Sequence, residues 1–206
     1  MKHPENIKAL AKLPIDYMGM IFYEKSPRNG IGLSSEVFCD FPASIKRTGV
    51  FVNEEFESLS KHIKQYQLDC LQLHGDENPD YCKTLKENYP FIEIIKAFNI
   101  AESADFGKTS LYEGLCDFFL FDTKTNQHGG SGIKFDWSLL NAYKGITPFF
   151  LSGGISVDDV HVIAKISHRN FYGIDVNSKF EIEPGIKDIG LLTKFVASFS
   201  DRVKNI

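Results

Sequence analysis

Seven short runs rich in β-branched and aromatic residues recur every 20 to 30 residues along the chain, and amphipathic stretches separate them. A chain that alternates strand-like and helix-like segments in this way is typical of a parallel sheet with helical crossovers, and so of an α/β fold. The predicted strands span residues 16–22, 46–52, 69–74, 91–98, 117–122, 147–151 and 171–175.

The stretches between these runs carry apolar residues at helical spacing. Asn53 and Ser156 are candidate N-caps, and Pro79 suits another helix start. No linker or low-complexity segment interrupts the pattern, so one barrel domain is predicted over residues 1–206. The predicted helices span residues 4–13, 54–66, 157–166 and 188–203.

The order of elements is unusual at the start of the chain. A helix over residues 4–13 precedes the first predicted strand, whereas each unit of an α/β barrel begins with a strand. A barrel must also close, so that no strand edge is left unpaired. The sequence therefore predicts a (β/α)₈ TIM barrel that lacks its first β-strand.

Charge and hydropathy exclude several classes of partner. A net charge of −4 over 206 residues leaves no basic excess with which to bind nucleic acid or an anionic membrane. No apolar run approaches the roughly 18 to 20 residues of a transmembrane helix, and the start of the chain lacks the apolar segment of a signal peptide. The 4 cysteines form no C-x-x-C pair, which favours reduced thiols. We expect a soluble, cytoplasmic protein that acts on a small molecule.

Polar residues cluster where the predicted strands end. Since the carboxyl ends of barrel strands share one face, these residues should meet at one rim. The segments LSGGIS (151–156) and GIDVNS (173–178) follow the last two strands, where barrels commonly hold phosphate through backbone N–H groups. A Gly-Gly pair alone is typical of a tight turn, but two such loops favour a phosphate site. The loop NQHGGSGI (126–133) suits a flexible cover over a ligand.

Three side chains at this rim are candidates for chemistry. Asp122 ends an otherwise apolar run, where low dielectric suits a general acid, although it could equally cap the following turn. His74 also ends a run, but a lone histidine in such a place is more often structural. Arg28 offers a planar fork for a carboxylate, yet Pro27 beside it is equally consistent with a surface turn.

Six longer segments of the chain form a pattern that extends from about Pro4 to the last helix. They are IFYEKSPR (21–28), TGVFVN (48–53), LDCLQLHGDE (68–77), FDTKTNQHGGSGIKFDW (121–137), LSGGIS (151–156) and GIDVNSKFEIEPGIKD (173–188). The stretch 121–137 is the most specific of them. Together they resemble the phosphoribosylanthranilate isomerase family of tryptophan biosynthesis. The resemblance implies a (β/α)₈ barrel and an intramolecular oxidoreductase of the isomerase class, with no metal and no organic cofactor.

The resemblance also implies a reaction and a role for each site residue. The substrate would be N-(5-phosphoribosyl)anthranilate, which rearranges to 1-(2-carboxyphenylamino)-1-deoxyribulose 5-phosphate. Asp122 would be the catalytic general acid, and Arg28 would hold the anthranilate carboxylate. His74 would lie near the aromatic ring, and Asp175 would lie beside the ribose. The phosphate would be bound by Gly153, Gly154, Asn177 and Ser178.

Two departures from the family pattern are present. Lys179 replaces a glycine of the last-strand motif; its side chain could add a positive charge near the phosphate, but we expect it to extend into solvent. The general base of the family is a cysteine in a K-[IV]-C-G segment that ends the first strand, and this segment is absent from the sequence. Because MKHPENIKAL resembles the residues that follow that cysteine, Met1 is interpreted as an internal residue of a longer protein.

The missing thiol leaves alternatives open. Neither Cys39, Cys70, Cys82 nor Cys116 is predicted to reach the rim, so the chain is expected to be inactive or nearly so. A non-catalytic barrel that binds sugar phosphates is the alternative function, and another phosphate-binding barrel enzyme is less well supported. With one strand missing, we expect a monomer or a weak homodimer.

Overall fold

The computed structural model describes residues 1–123 and 134–203 of the chain. Within them, seven strands form one parallel sheet in which each strand pairs with the next along the chain. All seven predicted strands are confirmed, and each bound lies within 2 residues of its prediction. The strands are β1 (Tyr17–Ile21), β2 (Lys46–Phe51), β3 (Cys70–Leu73), β4 (Glu93–Ile100), β5 (Phe118–Thr123), β6 (Phe149–Leu151) and β7 (Phe171–Ile174).

Helical segments connect these strands and bury one face against them. The second α-helix, for example, buries Leu59, Ile63 and Tyr66, as its apolar spacing predicts. No helix in the described part of the chain is both long and apolar enough to cross a bilayer. The α-helices are α1 (Pro4–Leu10), α2 (Phe56–Tyr66), α3 (Pro79–Asn88), α4 (Val160–Ile163) and α5 (Ile189–Val203), and the 3₁₀ segments are Ser35–Phe38, Ser103–Tyr112, Trp137–Ala142, Val157–Asp159 and Ser178–Phe180.

Two predicted helices are shorter than expected. Helix α1 ends at Leu10, and the backbone then tightens into i→i−3 hydrogen bonds at Lys12 and Leu13 before Pro14. The predicted helix 157–166 divides into a 3₁₀ turn and the four-residue α4. Its predicted N-cap is confirmed, since Ser156 and Asp159 form a reciprocal capping box.

The prediction that Asn53 caps α2 is wrong. Asn53 has a φ of 53°, and the helix begins two residues later, after Glu55. Asparagine adopts the left-handed conformation more readily than most residues, so Asn53 serves a turn instead. Its side-chain oxygen accepts a 2.6 Å hydrogen bond from the backbone N–H of Asp76, which ties the loop after β2 to the loop after β3.

Alternate residues of the strands pack on opposite faces of the sheet, as the two-residue period of a strand requires. Leu120 belongs to a small cluster on one face, together with Ile95 and Phe150. Its neighbours Phe119 and Phe121 belong to the large core that includes the helices. Strands buried on both faces explain why the runs are nearly continuous in apolar residues.

β1 and β7 are the end strands of the sheet, and within the described residues they do not pair with each other. On the outer edge of β1, the Met1 nitrogen donates to the Gly19 carbonyl at 2.9 Å. After β7 the chain forms an antiparallel hairpin of β8 (Glu181–Glu183) and β9 (Ile186–Lys187). The structure is thus an α/β fold with a seven-stranded parallel sheet, and the first strand missing from a (β/α)₈ barrel stays a prediction.

Candidate active site

A cavity of about 480 Å³ reaches the carboxyl ends of the strands and continues along β1 and β7. This volume lies in the range of small-molecule sites, which is roughly 300–1,000 Å³. Parallel strands bring their carboxyl ends to one edge, so residues far apart in sequence meet here. All eight site residues named from the sequence line this one cavity: Arg28, His74, Asp122, Gly153, Gly154, Asp175, Asn177 and Ser178.

Asp122 and His74 lie side by side in the cavity. Asp122 lies near the end of β5 with its side chain only 12% exposed, and its Oδ1 accepts a 2.8 Å hydrogen bond from the backbone N–H of Thr123. Its Oδ2 lies 3.4 Å from Nε2 of His74. The amide nitrogen of Gln72 lies 2.9 Å from Nδ1 of the same ring. With the Gln72 amide nitrogen as donor, Nδ1 is the acceptor of that hydrogen bond, and Nε2 is the ring nitrogen that faces Asp122.

Asp175 is the second carboxyl group of the cavity, just beyond the end of β7. Its Oδ2 accepts a 2.9 Å hydrogen bond from the hydroxyl of Ser152. Burial raises the pKa of Asp175 above its ordinary value, although the Ser152 hydrogen bond and the nearby charge of Lys187 oppose the shift. Asp175 therefore holds a proton more readily than an exposed aspartate does.

The turn after β6 presses closely against the end of β5. Gly153 has a φ of 92° and Gly154 a φ of 66°, both in the region that favours glycine. A Cβ atom on Gly153 would lie 2.3 Å from Oγ1 of Thr123 and 2.7 Å from Oδ1 of Asp122. The Gly-Gly pair is therefore more than a tight turn, because it lets the backbone approach the carboxyl of Asp122.

Arg28 reaches the cavity from the loop after β1, but a protein carboxylate already pairs with it. Its Nε lies 2.8 and 3.1 Å from the two carboxylate oxygens of Glu181, and one terminal nitrogen lies 2.8 Å from Oε2. The side chains are 11% and 4% exposed. Residues 27 and 28 do form a turn, as Pro27 suggested, but the side chain of Arg28 lies in a buried ion pair.

Lys187 extends this ion pair into a network. Its Nζ lies 3.3 Å from Oε1 of Glu181 and 2.6 Å from Oδ1 of Asn177. Burial lowers the pKa of Lys187, while the charges of Glu181 and Asp175 partly offset the shift. Although burial alone would raise it, the hydrogen bond from Arg28 and the charge of Lys187 hold the pKa of Glu181 below its usual range.

Comparison with known proteins identifies the family. The family model for N-(5'-phosphoribosyl)anthranilate isomerase matches residues 1–198. A protein of that name from Parabacteroides distasonis is 48% identical over 95% of this chain and 89% of its own length. The chain belongs to the phosphoribosylanthranilate isomerase family.

Solved phosphoribosylanthranilate isomerases share the fold. The crystal structure of the Thermotoga maritima protein aligns with a TM-score of 0.82 and 30% identity, over 100% of this chain and 96% of that one. A second isomerase structure, in complex with reduced 1-(o-carboxyphenylamino)-1-deoxyribulose 5-phosphate, aligns with a TM-score of 0.81 and 28% identity, over 98% and 95% of the two chains.

The cysteines of this family member lie away from the cavity. Among the described residues that line it there is no cysteine. Cys70 is fully buried in β3, and burial raises its pKa, so it is a poor base. Cys82 lies in α3 and Cys116 precedes β5, while Cys39 is exposed in the loop after β1. The prediction that no thiol of the chain reaches the rim is confirmed for the described cavity.

Sequence reasoning on this isomerase missed Glu181 and Lys187. Both lie in the quoted segment FEIEPGIKD, where the Pro-Gly pair between two short apolar runs is a hairpin signal. That hairpin, placed directly after the predicted phosphate residues, could have pointed to them. Lys179 is exposed, as expected, and the loop 126–133 lies outside the described residues.

Proposed function

We propose that the protein converts N-(5-phosphoribosyl)anthranilate into 1-(2-carboxyphenylamino)-1-deoxyribulose 5-phosphate in tryptophan biosynthesis. The observation that carries this proposal is that a proton donor, an arginine and a glycine-rich turn line one cavity in a chain of this family. The solved relative that binds the reduced product supports it. The reaction is an Amadori rearrangement, which needs a proton donor and a proton acceptor but no redox cofactor.

In the first step, Asp122 donates its proton to the ring oxygen of the ribose. The ring then opens, and the bond between C1′ and nitrogen becomes an iminium. Asp122 is placed for this role because its carboxyl lines the cavity and the N–H of Thr123 fixes its orientation. His74, whose Nε2 proton faces Asp122, stabilises the carboxylate left after proton transfer. In the second step, a base removes the C2′ proton, and the enolamine that forms tautomerises to the ketone.

The two anionic ends of the substrate have separate partners in the proposal. Gly153, Gly154, Asn177 and Ser178 hold the phosphate, and Lys187 adds a positive charge beside Asn177. Arg28 holds the anthranilate carboxylate. His74 lies near the aromatic ring and Asp175 beside the ribose.

The general base of this reaction is proposed to come from a further strand between β1 and β7. Those strands are the unpaired ends of the sheet, and the cavity is lined by Gly19 on one side and Gly173 on the other. The Met1 nitrogen donates to Gly19 as a neighbouring parallel strand would. The family resemblance assigns to this strand a K-[IV]-C-G segment with the catalytic cysteine. As a single barrel domain without that strand, the 206-residue chain is expected to have little or no activity.

The test compares the 206-residue chain with a chain extended by the upstream codons. Conversion of N-(5-phosphoribosyl)anthranilate is measured by chromatography, and affinity for the reduced product by calorimetry. We expect both chains to bind, and the extended chain to turn over about 10²–10⁴ times faster, which is the usual contribution of a general base. A Cys→Ala change in the added segment should return the rate to that of the shorter chain.

Two results would contradict parts of this proposal. An in-frame stop codon or the absence of K-x-C-G upstream would refute the account of the missing thiol. Binding without turnover in either chain would instead support the alternative, a non-catalytic barrel that binds sugar phosphates. That alternative is favoured by one observation, namely the absence of a thiol among the described residues of the cavity.

A further inference from the structure

The guanidinium of Arg28 is held on one edge only. Oε2 of Glu181 lies 2.8 Å from both Nε and one terminal nitrogen, and Oε1 lies 3.1 Å from Nε, so the carboxylate occupies Nε and one hydrogen of that terminal nitrogen. An arginine has five N–H donors, so this pairing leaves three for another acceptor. Arg28 and Glu181 both line the cavity, so a ligand carboxylate can meet the second edge of the same guanidinium.

Glu181 is itself fixed from several sides. In addition to Arg28, it accepts a 3.1 Å hydrogen bond from the backbone N–H of Gly185, and Lys187 lies 3.3 Å from Oε1. The turn of the β8–β9 hairpin thus holds the carboxylate, and the carboxylate holds an arginine that lies 153 residues away in sequence. A side chain fixed in this way restricts the rotamers of its partner, which would otherwise lose entropy on binding a ligand.

The charge balance permits a further anion. Arg28 and Lys187 carry two positive charges against the single negative charge of Glu181. The network therefore keeps one unit of positive charge at the cavity wall. A ligand carboxylate neutralises that charge without displacing Glu181.

We propose that Glu181 is a positioning residue that presents Arg28 to the carboxylate of the ligand and so determines the preference for a carboxylated aromatic ring. This inference rests on the proposed function, because the carboxylate is that of the anthranilate group. Glu181 does not touch the ligand and acts only through Arg28. Its removal should therefore weaken recognition of the carboxylate and leave recognition of the sugar phosphate intact.

The hairpin supplies a matched control. Glu183 lies two residues further along β8, and its side chain points to solvent. Glu181→Gln and Glu183→Gln make the same chemical change on the same strand. A general effect of removing one negative charge would appear in both variants, whereas a positioning effect would appear only in Glu181→Gln.

The experiment is calorimetry on the full chain with two probes. One is reduced 1-(o-carboxyphenylamino)-1-deoxyribulose 5-phosphate, and the other is the same compound with an unsubstituted phenyl ring. We expect the wild type to prefer the carboxylated probe by tenfold or more, on the order of one charge-assisted hydrogen bond. Glu181→Gln should lose about tenfold of that preference by binding the carboxylated probe more weakly, with the phenyl probe unaffected. Glu183→Gln should behave as wild type.

A double-mutant cycle tests whether Glu181 acts through Arg28. In Arg28→Lys the charge is kept and the fork is lost, so the preference should fall. Adding Glu181→Gln to that variant should change the preference by less than about twofold. Should Glu181→Gln fail to fold, as judged by its thermal transition, Glu181→Asp retains the charge but withdraws the carboxylate by one methylene. That variant should lose part of the preference.

The outcomes separate this inference from the proposed function. Equal loss of affinity for both probes in Glu181→Gln, or an unchanged preference, would overturn the positioning role while leaving the substrate assignment in place. A wild type that binds neither probe would overturn the substrate assignment and, with it, this inference.

Discussion

The substitution Gly153→Ala tests the close contact between the turn after β6 and the end of β5. The φ of 92° at this position is costly for any residue with a Cβ, by about 1–3 kcal/mol. The new Cβ atom would also lie 2.3 Å from Oγ1 of Thr123 and 2.7 Å from Oδ1 of Asp122. To reach an ordinary separation of 3.4 Å, Thr123 Oγ1 must move by the difference, about 1.1 Å, and Asp122 Oδ1 by about 0.7 Å.

These displacements affect both stability and the site. Strain and displacement together should lower the free energy of unfolding by about 2–4 kcal/mol. A misplacement of this size at a catalytic group costs on the order of 100-fold in rate, so the extended chain should lose about that much turnover. Urea titrations measure the first effect, and product formation measures the second.

Gly107→Ala is the control for this substitution. Gly107 is exposed in the 3₁₀ segment Ser103–Tyr112, and an added Cβ meets nothing within 4 Å. The control should change the free energy of unfolding by less than about 0.5 kcal/mol. If Gly153→Ala behaves like Gly107→Ala in both assays, the close approach to Asp122 does not constrain the site and the reasoning is refuted.

Three further predictions concern charged groups. Asp122→Asn in the extended chain removes the proposed acid and should lower turnover by about 10²–10⁴-fold. The affinity for the reduced product should change by less than about tenfold. A smaller loss of rate would assign the role of the acid to another residue. Lys96 and Glu77 form an ion pair at 3.2 Å, and both side chains are 3% exposed. Lys96→Met should therefore lower the free energy of unfolding, measured by urea titration, by about 3–5 kcal/mol. A decrease of less than about 1 kcal/mol would contradict the stabilising role of the pair. The lowered pKa of Glu181 means that its ionised form stabilises the fold at neutral pH and that this contribution is lost as the pH falls from about 4.3 through the folded-state pKa. The difference in unfolding free energy between wild type and Glu181→Gln should therefore shrink as the pH falls below about 4.3, and a difference that stays constant with pH would refute the ion pair.

The sheet could be predicted from the sequence because its signal is local. A strand such as Phe118–Thr123 is a continuous apolar run, and a strand buried on both faces has few other ways to place those side chains. The helices were less well predicted where a short polar motif competes with apolar spacing. Asn53 has the composition of an N-cap, but its partner is the N–H of Asp76 in another loop. Because that partner lies 23 residues away, the contact cannot be seen in the local spacing of apolar residues.

The site residues that lie at the ends of strands could be predicted from the sequence. Asp122 and Asp175 were found because each ends an apolar run at the rim. Glu181 and Lys187 were missed because charged residues around a Pro-Gly turn usually lie in solvent. Their burial depends on the long-range partner Arg28, and neither composition nor periodicity predicts a contact over 153 residues.

The carboxyl groups of the cavity explain how it can hold an anionic ligand. A phosphate and a carboxylate together bring two to three negative charges, which a cavity with several free carboxylates would repel. Glu181 does not repel such a ligand because Arg28 and Lys187 neutralise its charge, and these two cations also lower its pKa. Asp175 also adds little repulsion, for a different reason: burial raises its pKa and favours the neutral acid. The surroundings of Glu181 and Asp175 thus shift their pKa values in opposite directions, which leaves one unit of positive charge from Arg28, Lys187 and Glu181 together for the ligand.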